Sequence, residues 1–243
     1  MSDPASIARQ VAALTRRFGL PAASEAGLRA LLALLTEDPL APTTIRDPEQ
    51  AVRDHLADAL VALELPEIRA AGTLADLGAG AGVPGLPLAI AQPQTTVFLL
   101  ESNHRKCDFM VRAAALAGAR NAVVVPERAE NWADGLGRCD VVTARALAPL
   151  AVVAEYAAPL LCPGGALIAW RGRWDPAEES TGAAAAAQLG LRYEPPVAVS
   201  PHPAATHRHL QRLVKVDATP VRFPRRPGMA RKRPLGSPSG TGI

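Results

Sequence analysis

The residues best placed to do chemistry are Asp76, Gly78, Gly80, Gly82 and Gly85, in the stretch Asp76-Leu77-Gly78-Ala79-Gly80-Ala81-Gly82-Val83-Pro84-Gly85. An apolar run, Thr73 to Ala75, precedes it and another, Leu86 to Ile90, follows, so the segment reads as strand, glycine loop, helix. Glycines let a backbone turn sharply and come close to a ligand. The helix after such a loop points unpaired N–H groups at it. A nucleotide-like cofactor is the chemistry this arrangement suits. Gly80 to Gly85 also fits G-x-G-x-x-G, the dinucleotide fingerprint. A second acid follows at a telling distance. Val97-Phe98-Leu99-Leu100 has the pattern of a buried strand, and Glu101 ends it, 23 residues after Gly78. An acid at the tip of the second strand accepts both hydroxyls of a ribose, whichever nucleoside carries it.

Other residue types offer less. Cys107, Cys139 and Cys162 are scattered and odd in number, which gives neither a disulfide framework nor a metal site. Cys107 and Cys139 read as small core residues. His202, His207 and His209 match no zinc spacing, so no metal is expected. His55 and His104 read as polar surface or helix-end residues. Aromatic residues make up only 4% of the chain, too few for an extended stacking platform on single-stranded RNA. Trp132 and Trp170 remain candidates to stack on one extruded base, with core packing as the alternative for each.

The elements that must carry these residues follow from periodicity. Residues 1–70 read as helices: Ile7, Val11, Leu14 and Phe18 recur at helical spacing, as do Leu28, Leu31, Leu32 and Leu35. A Pro-rich link, Asp38 to Pro48, separates them from Val52, Leu56, Leu60 and Leu63. Residues 71–216 alternate strand and helix, with strands near 73–77, 96–101, 122–126, 139–144, 166–171, 192–199 and 209–216. Alternation of this kind predicts a mostly parallel, seven-stranded α/β sheet covered on both faces. Leu210 to Val216 is expected to close it antiparallel. Residues 217–243 are rich in Pro, Gly and Arg, lack periodicity, and read as an extended or mobile tail.

Composition narrows the class. The 243 residues are 49% apolar, enough for one large α/β domain with an extension, and no apolar run is long enough to span a membrane. MSDPASIARQ lacks the layout of a signal peptide, so a cytoplasmic location is expected. Six basic residues, Arg222, Arg225, Arg226, Arg231, Lys232 and Arg233, fall after Asp217 with no acid among them. The rest of the chain holds 20 Lys and Arg against 23 Asp and Glu, so the net +3 comes from the tail. A basic tail suits a polyanion, RNA first, or is a solvated end.

Asp76 two residues before Gly78 makes the loop Asp-x-Gly-x-Gly-x-Gly, which resembles the first motif of Rossmann-like, class I methyltransferases that use S-adenosylmethionine (SAM). In them the acid sits near the methionine end of SAM or orients the loop. Residues 76–90 are very similar to the motif of the ribosomal small-subunit methyltransferase G family (RsmG, also called GidB). Ile45-Arg46-Asp47-Pro48, Leu99-Leu100-Glu101-Ser102-Asn103, Arg128-Ala129-Glu130, Ala144-Arg145-Ala146 and Arg208-His209-Leu210 follow that family's order, and the resemblance covers about residues 25–235. It implies an enzyme that transfers methyl from SAM to guanine N7 in a 16S ribosomal RNA loop near the decoding site. The partner would be 16S rRNA or the small ribosomal subunit. Gly78 and Val83 would line the SAM pocket, Ala129 and Glu130 flank the adenine, Glu101 hold the ribose, and Arg145 face the cofactor or the incoming base.

N7 offers a lone pair and carries no proton, so no general base, thiol or metal is required, and no catalytic residue is assigned. The chain departs from the family at Thr36–Thr43, where the family usually carries Trp-Asn, three variable residues and Asn-Leu-Thr; only Thr43 survives, and Ala59 replaces a usual Ser. Alternatives at this stage are a methyltransferase for another RNA, an NAD(P)-dependent oxidoreductase, and a catalytically idle RNA-binding or ribosome-assembly protein.

Overall fold

The computed structural model describes residues 3–236; residues 237–243, the end of the basic tail, lie outside the described residues. The first helix, α1 (Pro4–Phe18), begins at Asp3, whose carboxylate accepts the N–H groups of Ala5 and Ser6, and stops at Gly19 in the left-handed conformation. After α2 (Ser24–Glu37) comes the Pro-rich link, held by Arg46, which donates to the carbonyls of Leu35, Asp38 and Ala41. Helical turns then run through α3 (Pro48–Ala51), a wide π turn at Val52–Ala57, α4 (Asp58–Leu60), a 3-10 turn at Val61–Glu64 and α5 (Pro66–Ala70). His55 lies within the π turn and Asp58 directly follows it.

The sheet contains β1 (Thr73–Leu77), β2 (Thr96–Leu100), β3 (Ala122–Val125), β4 (Cys139–Arg145), β5 (Leu161–Arg171), β6 (Leu191–Tyr193), β7 (Val197–Ala198) and β8 (His209–Lys215). Its order is β3-β2-β1-β4-β5-β8-β6, with β7 also on β8. The first five strands run parallel, and β8 is antiparallel to β5. Strand order reverses between β1 and β4. The ends of these two strands are therefore where a crevice opens for a ligand.

Two differences from the sequence reading have clear causes. The strand expected at 192–199 is two short ones, because Pro195 and Pro196 have no N–H to give to the ladder. Gln211 bridges the gap by donating to the Glu194 carbonyl at 2.6 Å. The strand at 209–215 lies inside the sheet, and β6 and β7 pair along its outer side.

Alternation along the strands builds two cores. Leu74, Val97, Leu99, Val141 and Ile168 face α6 (Gly85–Ala91), α7 (His104–Leu116) and the N-terminal helices. Ala75, Leu77, Val142, Leu167 and Leu213 face α8 (Leu150–Ala157) and α9 (Pro176–Gln188). The N-terminal helices thus share a core with the sheet and are fixed against it.

Residues 217–236 are not the loose tail the composition suggests. Phe223 and Ala230 are buried in the second core, and Arg225 forks onto Glu155 of α8, a carboxylate only 1% exposed. Among the described residues no helix is long and apolar enough to cross a membrane.

Candidate functional site

The glycine loop is braced from below. Asp76 is 1% exposed; one carboxylate oxygen accepts the Gly85 N–H at 2.9 Å and the other accepts the Thr143 hydroxyl at 3.0 Å. Burial pushes its carboxyl up to about 7. Of the two roles the sequence left open for this acid, its contacts are those of a loop brace. Gly78 stands at φ +63°, and a Cβ there would come within 2.6 Å of the Leu147 side chain. The left-handed φ favours glycine, and a side chain there would also have to push the tip of Leu147 aside.

Two cavities open at the carboxyl edge, and both are lined by Gly78 and Ala146. Ala146, just past β4, has φ +53°, rare for a residue with a side chain. The first cavity, about 540 Å³, contains Glu101, Ala129 and Glu130 as the sequence anticipated, together with Lys106, Tyr156 and Arg231. The Glu101 carboxylate accepts N–H groups from Gly80 at 3.2 Å and Asn103 at 2.9 Å, and Lys106 lies 3.7 Å away. A carboxylate has about four lone-pair sites, so capacity remains for a diol. The donor set, the glycine cradle and the apolar floor of Leu77 and Leu100 fit an adenosyl group.

The second cavity, about 430 Å³, takes Val83 and Arg145, which the sequence grouped with the other four residues. The N-terminal helices build much of its wall. Asp58, 4% exposed, is its hub: it accepts from Arg145 at 2.9 Å and lies 3.6 Å from Arg208, while its backbone carbonyl accepts from the Trp170 indole at 2.7 Å. Arg145 also donates to the Asp54 carbonyl at 2.8 Å and lies 3.5 Å from His55 Nδ1. A guanidinium only donates, so His55 accepts there and its Nε2–H donates to the Thr43 hydroxyl at 2.9 Å. His55 is buried, not a surface residue. Burial, and then the Arg145 charge, hold its imidazole down at about 4.

Asp58 escaped the sequence reading. Its signal was a charged residue three positions after His55 inside an otherwise apolar helical run, which places both on the buried face. The two tryptophans separate: Trp132 is buried against Phe98, with ring centroids 5.0 Å apart, whereas Trp170 lines the second cavity. None of the three cysteines lines either cavity, and burial raises each thiol, Cys139 to about 12. Among the described residues no group of His, Cys, Asp or Glu is arranged to hold a metal ion.

The family model described as rRNA small subunit methyltransferase G (GidB) matches residues 33–200, which takes in the loop, Glu101, Arg145 and Asp58. The chain belongs to this methyltransferase G family. Relatives named ribosomal RNA small subunit methyltransferase G include one from Rubrobacter xylanophilus, 39% identical over 196 residues, covering 78% of this chain and 75% of that protein. Another, from Stenotrophomonas maltophilia, is 43% identical over 171 residues, covering 70% and 79%. Among solved structures, a 16S rRNA adenine-N1 methyltransferase from Catenulisporales acidiphilia aligns with TM-score 0.52 and 22% identity, over 63% of this chain and 89% of that one. That likeness is one of fold: this methyltransferase G chain has a Rossmann-like α/β domain with a mostly parallel sheet.

Proposed function

We propose that this chain transfers the methyl group of SAM to N7 of a guanine in 16S rRNA, acting in the cytoplasm on the RNA or the small ribosomal subunit. The observation that carries this reading is the pair of cavities meeting at Gly78 and Ala146, one suited to an adenosyl group and the other to a base. Relatives named for the small-subunit RNA support the substrate class.

When bound, SAM supplies an electrophilic methyl carbon on its sulfonium. Glu101 accepts the ribose hydroxyls, and Ala129 and Glu130 bound the adenine. Gly78 and Val83 shape the floor between the cavities. Arg145, aimed by Asp58, faces the base, and Arg208 stands at the same rim. Guanine N7 has no proton to lose, so these residues bind and orient, and the rate comes from alignment. Neither a thiol nor a metal is needed. In this division residues 71–216 hold the cofactor, residues 1–70 complete the base cavity, and residues 217–243 form the basic segment.

A second reading, methylation of another RNA, is favoured by one observation: Pro42 and Thr43, at the end of the segment that departs from the family pattern, line the base cavity. Mapping N7-methylguanine across ribosomal RNA from a deletion strain, with and without the restored gene, tests both. Loss and recovery at one 16S guanine is expected. An unchanged 16S map rejects the first reading, and loss in a different RNA selects the second.

A further inference from the structure

The six cations of the C-terminal segment divide into two groups. Arg225 is fully engaged, with its fork on buried Glu155 and a further bond to the Arg233 carbonyl at 2.8 Å. This pair and buried Phe223 pin the segment across α8. Beyond the pin, the Gly228 N–H donates to Glu130 at 3.2 Å, and Arg231 donates to the Leu147 carbonyl at 3.0 Å. Arg231 also lines the first cavity, with Tyr156 on the same wall. Leu147 takes one of its five N–H donors and the Tyr156 hydroxyl is a second partner, and others remain for a ligand. The side chains of Arg226, Lys232 and Arg233 take no part in these contacts, and Arg222 lies over the Phe223 ring, 5.1 Å from its centroid.

We propose that residues 217–236 form a strap that completes the cofactor cavity, with Arg231 contacting the adenosyl group on the side bounded by Ala129 and Glu130. This rests on the reading of the first cavity as a SAM site. The composition suggested a different role, contact with a polyanion such as RNA, or none. The geometry points to the cofactor because both bonds that the strap makes beyond the pin end on cavity residues, Glu130 and Leu147, in the loops after β3 and β4. Closing a cavity from a distant part of the chain buries more of the ligand without altering the glycine loop.

The test uses the full chain. Arg231→Ala should weaken both SAM and S-adenosylhomocysteine in calorimetry, each roughly tenfold, the worth of one good hydrogen bond or stacking contact. KM for SAM should rise with it, while kcat stays within about twofold and Arg231→Lys recovers part of the loss. Should the alanine variant melt early, Arg231→Gln keeps the stem and carries the same measurement. Wild-type affinity for both ligands in a folded variant overturns the proposal, as does a rise in KM for RNA alone. A wild-type protein that binds no SAM would instead reject the cofactor reading, and this inference with it.

Discussion

The two cavities differ in where their walls come from. The first is made largely by the tips of parallel strands and the loops that follow them, the place where any sheet of this topology leaves a crevice. The second needs Thr43 from the Pro-rich link, His55 and Asp58 from the helical turns after it, Arg145 and Trp170 from the sheet, and Arg208 from the approach to β8. Under the proposed assignment, a common fold supplies the cofactor site, and an added N-terminal layer supplies the site for the base. The glycine loop is the shared partition, so substitutions should sort into those that harm one cavity and those that harm both.

The sharpest separation is expected from Asp58→Ala. It leaves Arg145 largely buried without its carboxylate and frees Arg208, which should cost about 3 kcal/mol of stability. A mis-aimed arginine should lower methyl transfer to RNA roughly 100-fold, while SAM affinity stays within about threefold because the first cavity keeps its walls. Urea unfolding, turnover and calorimetry on the same variant check this, and a matching collapse of SAM affinity would show that the cavities are one site. Gly78→Val is the counterpart. Its left-handed φ and the Leu147 contact make valine strained, about 1–3 kcal/mol, and Leu147 must move into the first cavity. SAM affinity should fall roughly 10- to 100-fold, and unchanged binding would misplace the cofactor. Glu101→Ala is smaller in reach. Losing charge-assisted bonds to a diol weakens SAM by roughly tenfold or somewhat more, with little effect on RNA KM at saturating SAM. An unchanged dissociation constant would remove Glu101 from the ribose role.

The same contrast explains what was legible in the sequence. The first cavity could be read because its residues sit at fixed steps along the chain: a strand ends, a glycine loop turns, an acid caps the next strand. The glycine loop around Gly78 and the acid Glu101 were found that way, Ala129 and Glu130 came from the family resemblance, and the structure lines one cavity with all four. The second cavity depends on contacts such as Arg145 to Asp58, 87 residues apart, and Trp170 to Asp58, 112 apart. No local pattern encodes such pairings. The strap was misread for a related reason. Composition treats Arg225 as one more solvated cation, whereas a buried carboxylate 70 residues earlier holds it. The sheet itself was nearly complete in the sequence, apart from the break that Pro195 and Pro196 impose and the place of the last strand inside the sheet rather than at its edge.

A further expected effect concerns pH, and it sets one buried group from each region against the other. Asp76, under the shared loop, has its folded value raised from 3.8 to about 7. Between those values the folded protein keeps a proton that the unfolded chain has lost, so this group's contribution is fully present below pH 3.8 and is lost as pH rises through about 7. His55, in the second cavity, runs the other way. Its folded value drops from 6.5 to about 4, so its contribution is present above pH 6.5 and is lost as pH falls through about 4. Over their overlap the two slopes oppose, and their sum in the wild type is shallow. Asp76→Asn keeps the shape without the titration and should expose the His55 slope, with stability rising from about pH 4 to about 6.5. His55→Gln should expose the Asp76 slope, with stability falling towards pH 7. Unfolding free energies for the three proteins across that window decide the matter. Curves that stay parallel would mean that neither group is as deeply desolvated as its packing implies. Asn at 76 should also shift SAM affinity and RNA KM together, because the loop it braces borders both cavities, whereas Gln at 55 should move only the second.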